Sequence, residues 1–194
     1  MANWGGKFIG KTGIKVRRES VESIHESLKA LAAQEVLVGF PEDTTERKDG
    51  DALTNAELAY IHDNGAPEAN IPARPFMIPA ITENSDKIAT ALGNAAKAIL
   101  RDKGPLSVQQ GLTRAGIVAV TAIKRKINEG IPPPLSDYTL RQRARKGRKG
   151  AKKELELRAQ GEAPSMEFAK PLVDSGQMRN AANFVIRPRR ARKV

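Results

Sequence analysis

The first stretch with the spacing of a catalytic motif is GGKFIGKT, Gly5 to Thr12: a glycine, four residues, then Gly-Lys-Thr. In a phosphate loop such a run joins a buried strand to the N-terminus of a helix. Backbone N–H groups and the helix dipole hold the phosphates, the lysine reaches them and the threonine holds Mg²⁺. Here Gly5 has only four residues before it, too few for that strand, and the GIKVRRES that follows Thr12 reads as extended. The VLVGF run followed by Glu42 and Asp43 copies the acidic second motif of NTPases only faintly. Pro41 intervenes and no repeated βαβ pattern surrounds it. The stretch reads as a glycine-rich arm, and Lys11→Ala with nucleotide binding as the readout separates that reading from an NTPase.

Other catalytic sets are thin. His25 and His62 are the only histidines, and cysteine is absent, which removes a disulfide framework, a Cys-type zinc site and a thiol nucleophile. His25 falls beside the apolar stripe of a helix. His62 falls near a helix end, where a positive or polar group is welcome. Asp63 adjoins His62, but neighbours at i and i+1 on a helix do not face each other. No GxSxG elbow is present. The sequence therefore predicts no catalytic residue, no metal and no cofactor.

The elements that would position any site follow from the apolar pattern. Ser20 is set to cap a helix carrying Val21, Ile24, Leu28 and Leu31, and Val36 to Phe40 reads as a strand ended by Pro41. Residues 42–52 form a charged loop. Thr54 and Glu57 make a capping box for a short helix, Leu53 and Leu58 a hydrophobic staple across its start, and Asn64-Gly65 its end. Prolines 67, 72, 75 and 79 forbid a continuous helix or a central strand over 66–81. That stretch is nonetheless apolar, so it lies against the domain's own core or against a neighbouring subunit. A helix is expected from about Pro79 to Asp102. Another, boxed by Ser107 and Gln110, runs to about Glu129 with many alanines for close packing. Phe184 to Ile186 reads as a last strand.

The chain has 194 residues with 40% hydrophobic, 4% aromatic and 28% charged composition, enough for one domain with a modest aliphatic core. Thirty-three Lys and Arg against 22 Asp and Glu give a formal charge of +11, which favours polyanionic partners. LRQRARKGRKGAKK, residues 140–153, holds eight basic side chains and no acid. Such a block repels itself and reads as a flexible insertion unless a polyanion orders it. No apolar run reaches membrane-spanning length, and the N-terminus lacks an apolar signal core, so no membrane partner and no export are expected. The divisions are an extended arm over 1–19, one domain from 20–139 with 170–188, a basic insertion over 140–169 and a basic tail over 189–194.

Two segments resemble a known family. NAELAYIHDNGAPEANIPARPFMIPAI is similar to the helix, His-x-x-Gly and Pro-Ala-Arg-Pro-Phe stretch of tailed-bacteriophage morphogenesis proteins, the tail-component, tail-completion, neck or head–tail joining subunits. KPLVDSGQMRNAANFVI resembles the same group's Pro-Leu-(Val/Ile)-Asp-(Thr/Ser)-Gly-x-(Leu/Met)-Arg pattern followed by a strand. The resemblance implies an α+β fold, a small mainly antiparallel sheet packed against long helices, with an extended N-terminal arm and a basic loop. It implies a non-enzymatic structural subunit of the virion, made in the bacterial cytoplasm and placed at the neck or tail top. There it would form a homo-oligomeric ring around the DNA channel, beside portal or adaptor, tail-tube and terminator proteins. Pro72, Arg74, Pro75 and Phe76 would form a rigid turn at a core or subunit edge. Asp174 and Gly176 would set the turn back to the sheet, and Arg179 would be an ion-pair or interface residue. Arg141, Arg143, Arg145, Lys146, Arg148 and Lys149 would face genomic DNA in the lumen, in contacts blind to sequence, or an acidic partner, or solvent. The basic block is longer than the family pattern leads one to expect. The competing function is a basic, sequence-independent nucleic-acid-binding module, which salt-dependent DNA binding discriminates.

Overall fold

The computed structural model describes residues 18–41, 53–100 and 105–189. Helix α1 spans Arg18–Ala32, strand β1 Gln34–Gly39, α2 Asn55–Asn64, α3 Met77–Glu83, α4 Ser85–Leu100 and α5 Pro105–Glu129. Helices α6 (Asp137–Arg145), α7 (Lys149–Ala159) and α8 (Gln177–Ala181) follow, and strand β2 (Asn183–Pro188) closes the described chain. The expected α+β class is what is found: helices dominate, and the two strands make one antiparallel sheet. The arm over 1–17, GGKFIGKT within it, the loop 42–52 and the tail beyond Arg189 lie outside the described residues.

Helix α5 is the axis of the fold. Val108, Leu112, Ala115, Ala119, Ala122, Ile123 and Ile127 are buried at three- and four-residue spacing, so one face of the helix carries the core. Two glycines decide how closely its neighbours approach. A Cβ on Gly111 would sit 1.9 Å from the Cβ of Ala95 on α4, and one on Gly116 would sit 2.4 Å from the Phe184 ring on β2. Only a hydrogen fits at either place, so α4 and the sheet lie directly on the α5 backbone. The closest approaches fall at these glycines rather than at the alanines expected to allow close packing.

The sheet joins distant parts of the chain. Its register pairs Val36 with Ile186, Leu37 with Val185 and Val38 with Phe184. Alternation sends Val36 and Ile186 to a cluster with Val108, Leu112, Ile24 and Leu31. Leu37 and Val185 remain about two-fifths exposed on the opposite face. The main cluster gathers Phe76, Ala80, Ile123, Ile127, Leu172, Met178 and Ala182, with Phe40 set edge-on to Phe76 at 6.3 Å between ring centroids.

Several boundaries differ from the sequence reading. Helix α1 begins at Arg18, ahead of the expected cap Ser20, and α5 begins at Pro105, ahead of Ser107. A proline suits a first helical turn because its missing N–H would have no partner there. The single helix expected from Pro79 to Asp102 is broken at Asn84 into α3 and α4. Buried Asn84 donates its side-chain amide back to the Ala80 carbonyl at 2.9 Å, a local bond that competes with helix continuation.

The largest difference is in residues 140–169. Instead of a flexible insertion they contain most of α6 and all of α7. Leu140, Ala144, Ala151 and Leu155 pack with Leu135 and Ala169 in a cluster of their own. The apolar positions recur at four-residue spacing beneath the charges, and burying them offsets the repulsion among cations on the outer face.

Candidate functional site

The first motif segment is built from local hydrogen bonds. Thr54 Oγ1 accepts from the Glu57 N–H at 3.2 Å, and Glu57 Oε2 accepts from the Thr54 N–H at 2.8 Å, the complete capping box. The Thr54 backbone N–H and then its hydroxyl hold the exposed Glu57 carboxylate below its ordinary range. After Gly65 the chain turns through a 3₁₀ turn at Pro67–Ala69, and Ala66 and Ile71 bridge each other. Asp63 Oδ1 then accepts from the backbone N–H groups of Phe76 at 2.7 Å and Met77 at 3.1 Å. Asp63 thus closes a 13-residue excursion and satisfies the start of α3. Of the four residues placed in a rigid turn, Arg74 and Phe76 are buried, at 5% and 0% exposure, while Pro72 and Pro75 are exposed.

Arg74 is bonded to the proline-rich connection and Arg143 to the second motif segment. Arg74 donates from Nε and Nη2 to the Pro133 carbonyl, at 3.3 and 2.8 Å. Arg143 donates from Nη1 to the carbonyls of Lys170 and Val173, at 2.8 and 2.9 Å, and from Nη2 to that of Pro171 at 2.7 Å. A planar guanidinium with five donors suits three carbonyls that no helix or sheet satisfies. Burial lowers both arginine pKa values, with Asp174 opposing the shift at Arg143. Both remain cations at neutral pH.

His62 stands between them. Burial first, then the positive charges of Arg74 and Arg143, push its imidazole down to about 4. Of the positive or polar group expected at the helix end, the polar form is what this site favours: burial and the two arginine charges make a third positive charge costly, and His62 is neutral at pH 7. Its Nδ1 is buried without a hydrogen-bond partner among the described residues. His62, Arg74 and Arg143 line a cleft of about 460 Å³ whose other walls include Ile71, Pro134 and Leu135. The Ser136 and Thr139 hydroxyls at its rim are bonded to each other at 3.0 Å.

The six basic residues expected to face a polyanion divide. Arg143 is turned inward, and its side chain is 13% exposed. Arg148 donates from Nε to Asp174 Oδ1 at 2.8 Å and is half-buried. Both are tied into the fold because the second motif segment leaves carbonyls and a carboxylate that need donors. Arg141, Arg145, Lys146 and Lys149 are exposed, joined on α7 by exposed Lys152 and Lys153. Arg141 lies 3.9 Å from Asp137, a solvent-screened pair.

The second motif segment is anchored rather than free. Asp174 holds Arg148 and, at 3.9 Å, Arg143. Gly176 adopts φ 80°, the left-handed conformation that glycine reaches without cost, at the entry to α8. Arg179 forms no ion pair with a described carboxylate; it donates from Nη1 to Asn128 Oδ1 of α5 at 3.0 Å and from Nε and Nη2 to Asn180.

Sequence reasoning missed a network centred on Glu154, which is 1% exposed. It accepts from the Ser165 N–H at 2.7 Å, the Ser165 hydroxyl at 2.8 Å and Arg158 at 3.0 Å. Burial raises its pKa, but the two Ser165 bonds and Arg158 outweigh that and hold it below the usual carboxylate range. Arg158 also reaches Asp137 at 2.7 Å, which locks α7 to the start of α6. The Glu154–Arg158 spacing of four was the available signal.

Among the described residues no group of three His, Asp or Glu could hold a metal ion, and no helix is long and apolar enough to cross a membrane. Compared with known proteins, the chain matches no family model, no curated relative and no solved structure.

Proposed function

We propose that this chain is a non-enzymatic structural subunit of a tailed-phage virion, acting at the neck or tail top within a homo-oligomeric ring around the DNA channel. The carrying observation is how the first motif segment divides its side chains. Phe76 and Ala59 anchor the core, while Tyr60 and Ile78 from the same segment are 71% and 75% exposed. Large apolar and aromatic side chains held out from a rigid base suit subunit contact. The two motif segments also pack together, with Phe76, Leu172 and Met178 in one cluster, so they act as one structural unit. The charged groups between them serve backbone carbonyls, which suits a scaffold.

Deleting the coding sequence from the genome that carries it, then imaging the lysate by electron microscopy, tests the reading. Separate full heads and finished tails, or tails of abnormal length, are expected. Normal infectious virions overturn it.

A second reading is favoured by the exposed cations of α6 and α7, which suit sequence-independent phosphate contact. Strong DNA binding by the isolated protein that falls steeply with salt, and that is lost when Arg141, Arg145, Lys146 and Lys149 become alanine, would put that module first.

A further inference from the structure

The cleft between the 66–74 loop and the 131–139 connection has a charge imbalance that the fold itself does not settle. Arg74 is 5% exposed, yet among the described residues its only hydrogen-bond acceptor is the Pro133 carbonyl, and no carboxylate pairs with it. A guanidinium carries five N–H donors, and that carbonyl engages only Nε and Nη2. Among the described residues no Asp or Glu lines the cleft. The other arginine of the cleft, Arg143, shares the Asp174 carboxylate with Arg148. Burying a cation without a counter-charge is costly, and the usual remedy is a paired anion.

Shape and lining narrow the ligand. A volume of about 460 Å³ is far larger than a single small ion needs and falls in the size range of organic-ligand sites. Ile71, Pro134 and Leu135 give apolar walls, with the guanidinium as the fixed polar group. Neutral His62 adds a hydrogen-bonding ring without adding charge.

We propose that this cleft is a binding site for a small organic acid, a carboxylate on an apolar body, with Arg74 as its charge partner. A guanidinium edge matches a carboxylate in a two-point bond. One monoanion supplies the counter-charge that Arg74 lacks among the described residues.

The test uses the isolated full chain and benzoate as the probe, with benzamide as the neutral counterpart of the same shape. Imidazole NMR signals report binding, since His62 lines the cleft and His25 is exposed elsewhere. Benzoate is expected to shift the His62 signals saturably, leave His25 unmoved and bind at least tenfold tighter than benzamide. Arg74→Gln is expected to erase that preference. Thr139→Phe, which fills the cleft from the first turn of α6 and leaves Arg74 in place, is expected to abolish binding. Equal responses to benzoate and benzamide, no saturable response, or unchanged benzoate binding to the Thr139→Phe protein each overturn the proposal. Inorganic phosphate binding tighter than benzoate overturns the carboxylate assignment in favour of a phosphate site.

Discussion

Arg143 donates to the Pro171 carbonyl at 2.7 Å, across 28 residues of sequence. That bond, with those to Lys170 and Val173, makes a residue from the most basic stretch of the chain a structural pin for the second motif segment. The charge block is therefore two populations, one inward and one outward, and they respond differently to substitution.

Arg143→Ala removes a donor from three carbonyls, of which that of Lys170 keeps the Val173 N–H at 3.3 Å. It is expected to lower unfolding free energy by about 3 kcal/mol, in line with the loss of charge-assisted bonds to buried acceptors. Arg145→Ala, at an exposed position two residues on, is expected to stay within about 0.5 kcal/mol of the parent. Urea denaturation of both proteins checks the contrast, and equal losses would remove the distinction between pin and surface.

Asp63→Ala strips the acceptor from the Phe76 and Met77 N–H groups. The expected cost is about 1–2 kcal/mol, the size of a lost helix cap. Hydrogen exchange at those two amides should speed up, while the Glu57 amide, held by Thr54, should keep its protection. Unchanged exchange at Phe76 would show that Asp63 does not close the loop.

His62 makes stability depend on pH in a defined window. Its folded pKa of about 4 lies below the ordinary 6.5, so as pH falls the unfolded chain takes up this proton first. The neutral imidazole's contribution is complete above about pH 6.5 and is lost progressively as pH drops toward 4. The full span is on the order of 3 kcal/mol. In His62→Asn this part of the pH slope should vanish, leaving only the carboxylate contribution. Denaturation midpoints for both proteins at pH 4.5 and 7 measure it, and identical slopes would mean that the ring is not held neutral.

Glu154→Ala leaves Arg158 in place and removes the acceptor for Ser165. The expected loss is about 2–3 kcal/mol, the size of lost bonds to a charged group, because Arg158 keeps Asp137 as its counter-charge. Glu156→Ala, on the exposed side of α7, is expected to change stability by less than about 0.5 kcal/mol. Thermal unfolding of the two variants gives the comparison, and a neutral Glu154→Ala would show that the network does not lock α7 in place.

What the sequence by itself determined is what short-range forces determine. The Thr54–Glu57 box lies within one helical turn, and both of its bonds are present. The apolar spacing of α5 set its buried face, and the Val36 and Phe184 runs marked the two strands. The α+β class is what the resemblance implies, and those elements agree with it.

Tertiary structure decided the rest because the deciding contacts are distant in sequence. Val36 and Ile186 pair across 150 residues, and no local pattern names a strand's partner. The break at Asn84 depends on whether a buried amide finds the Ala80 carbonyl or water. Charge density in 140–153 gave the wrong account of α6 and α7 because it weighs repulsion and ignores the surface those helices bury. An arginine's type fixes its charge, and only its burial and the carbonyls around it fix what the charge does. Arg143 and Arg145 read alike in the sequence; the backbone of Lys170 to Val173 separates them.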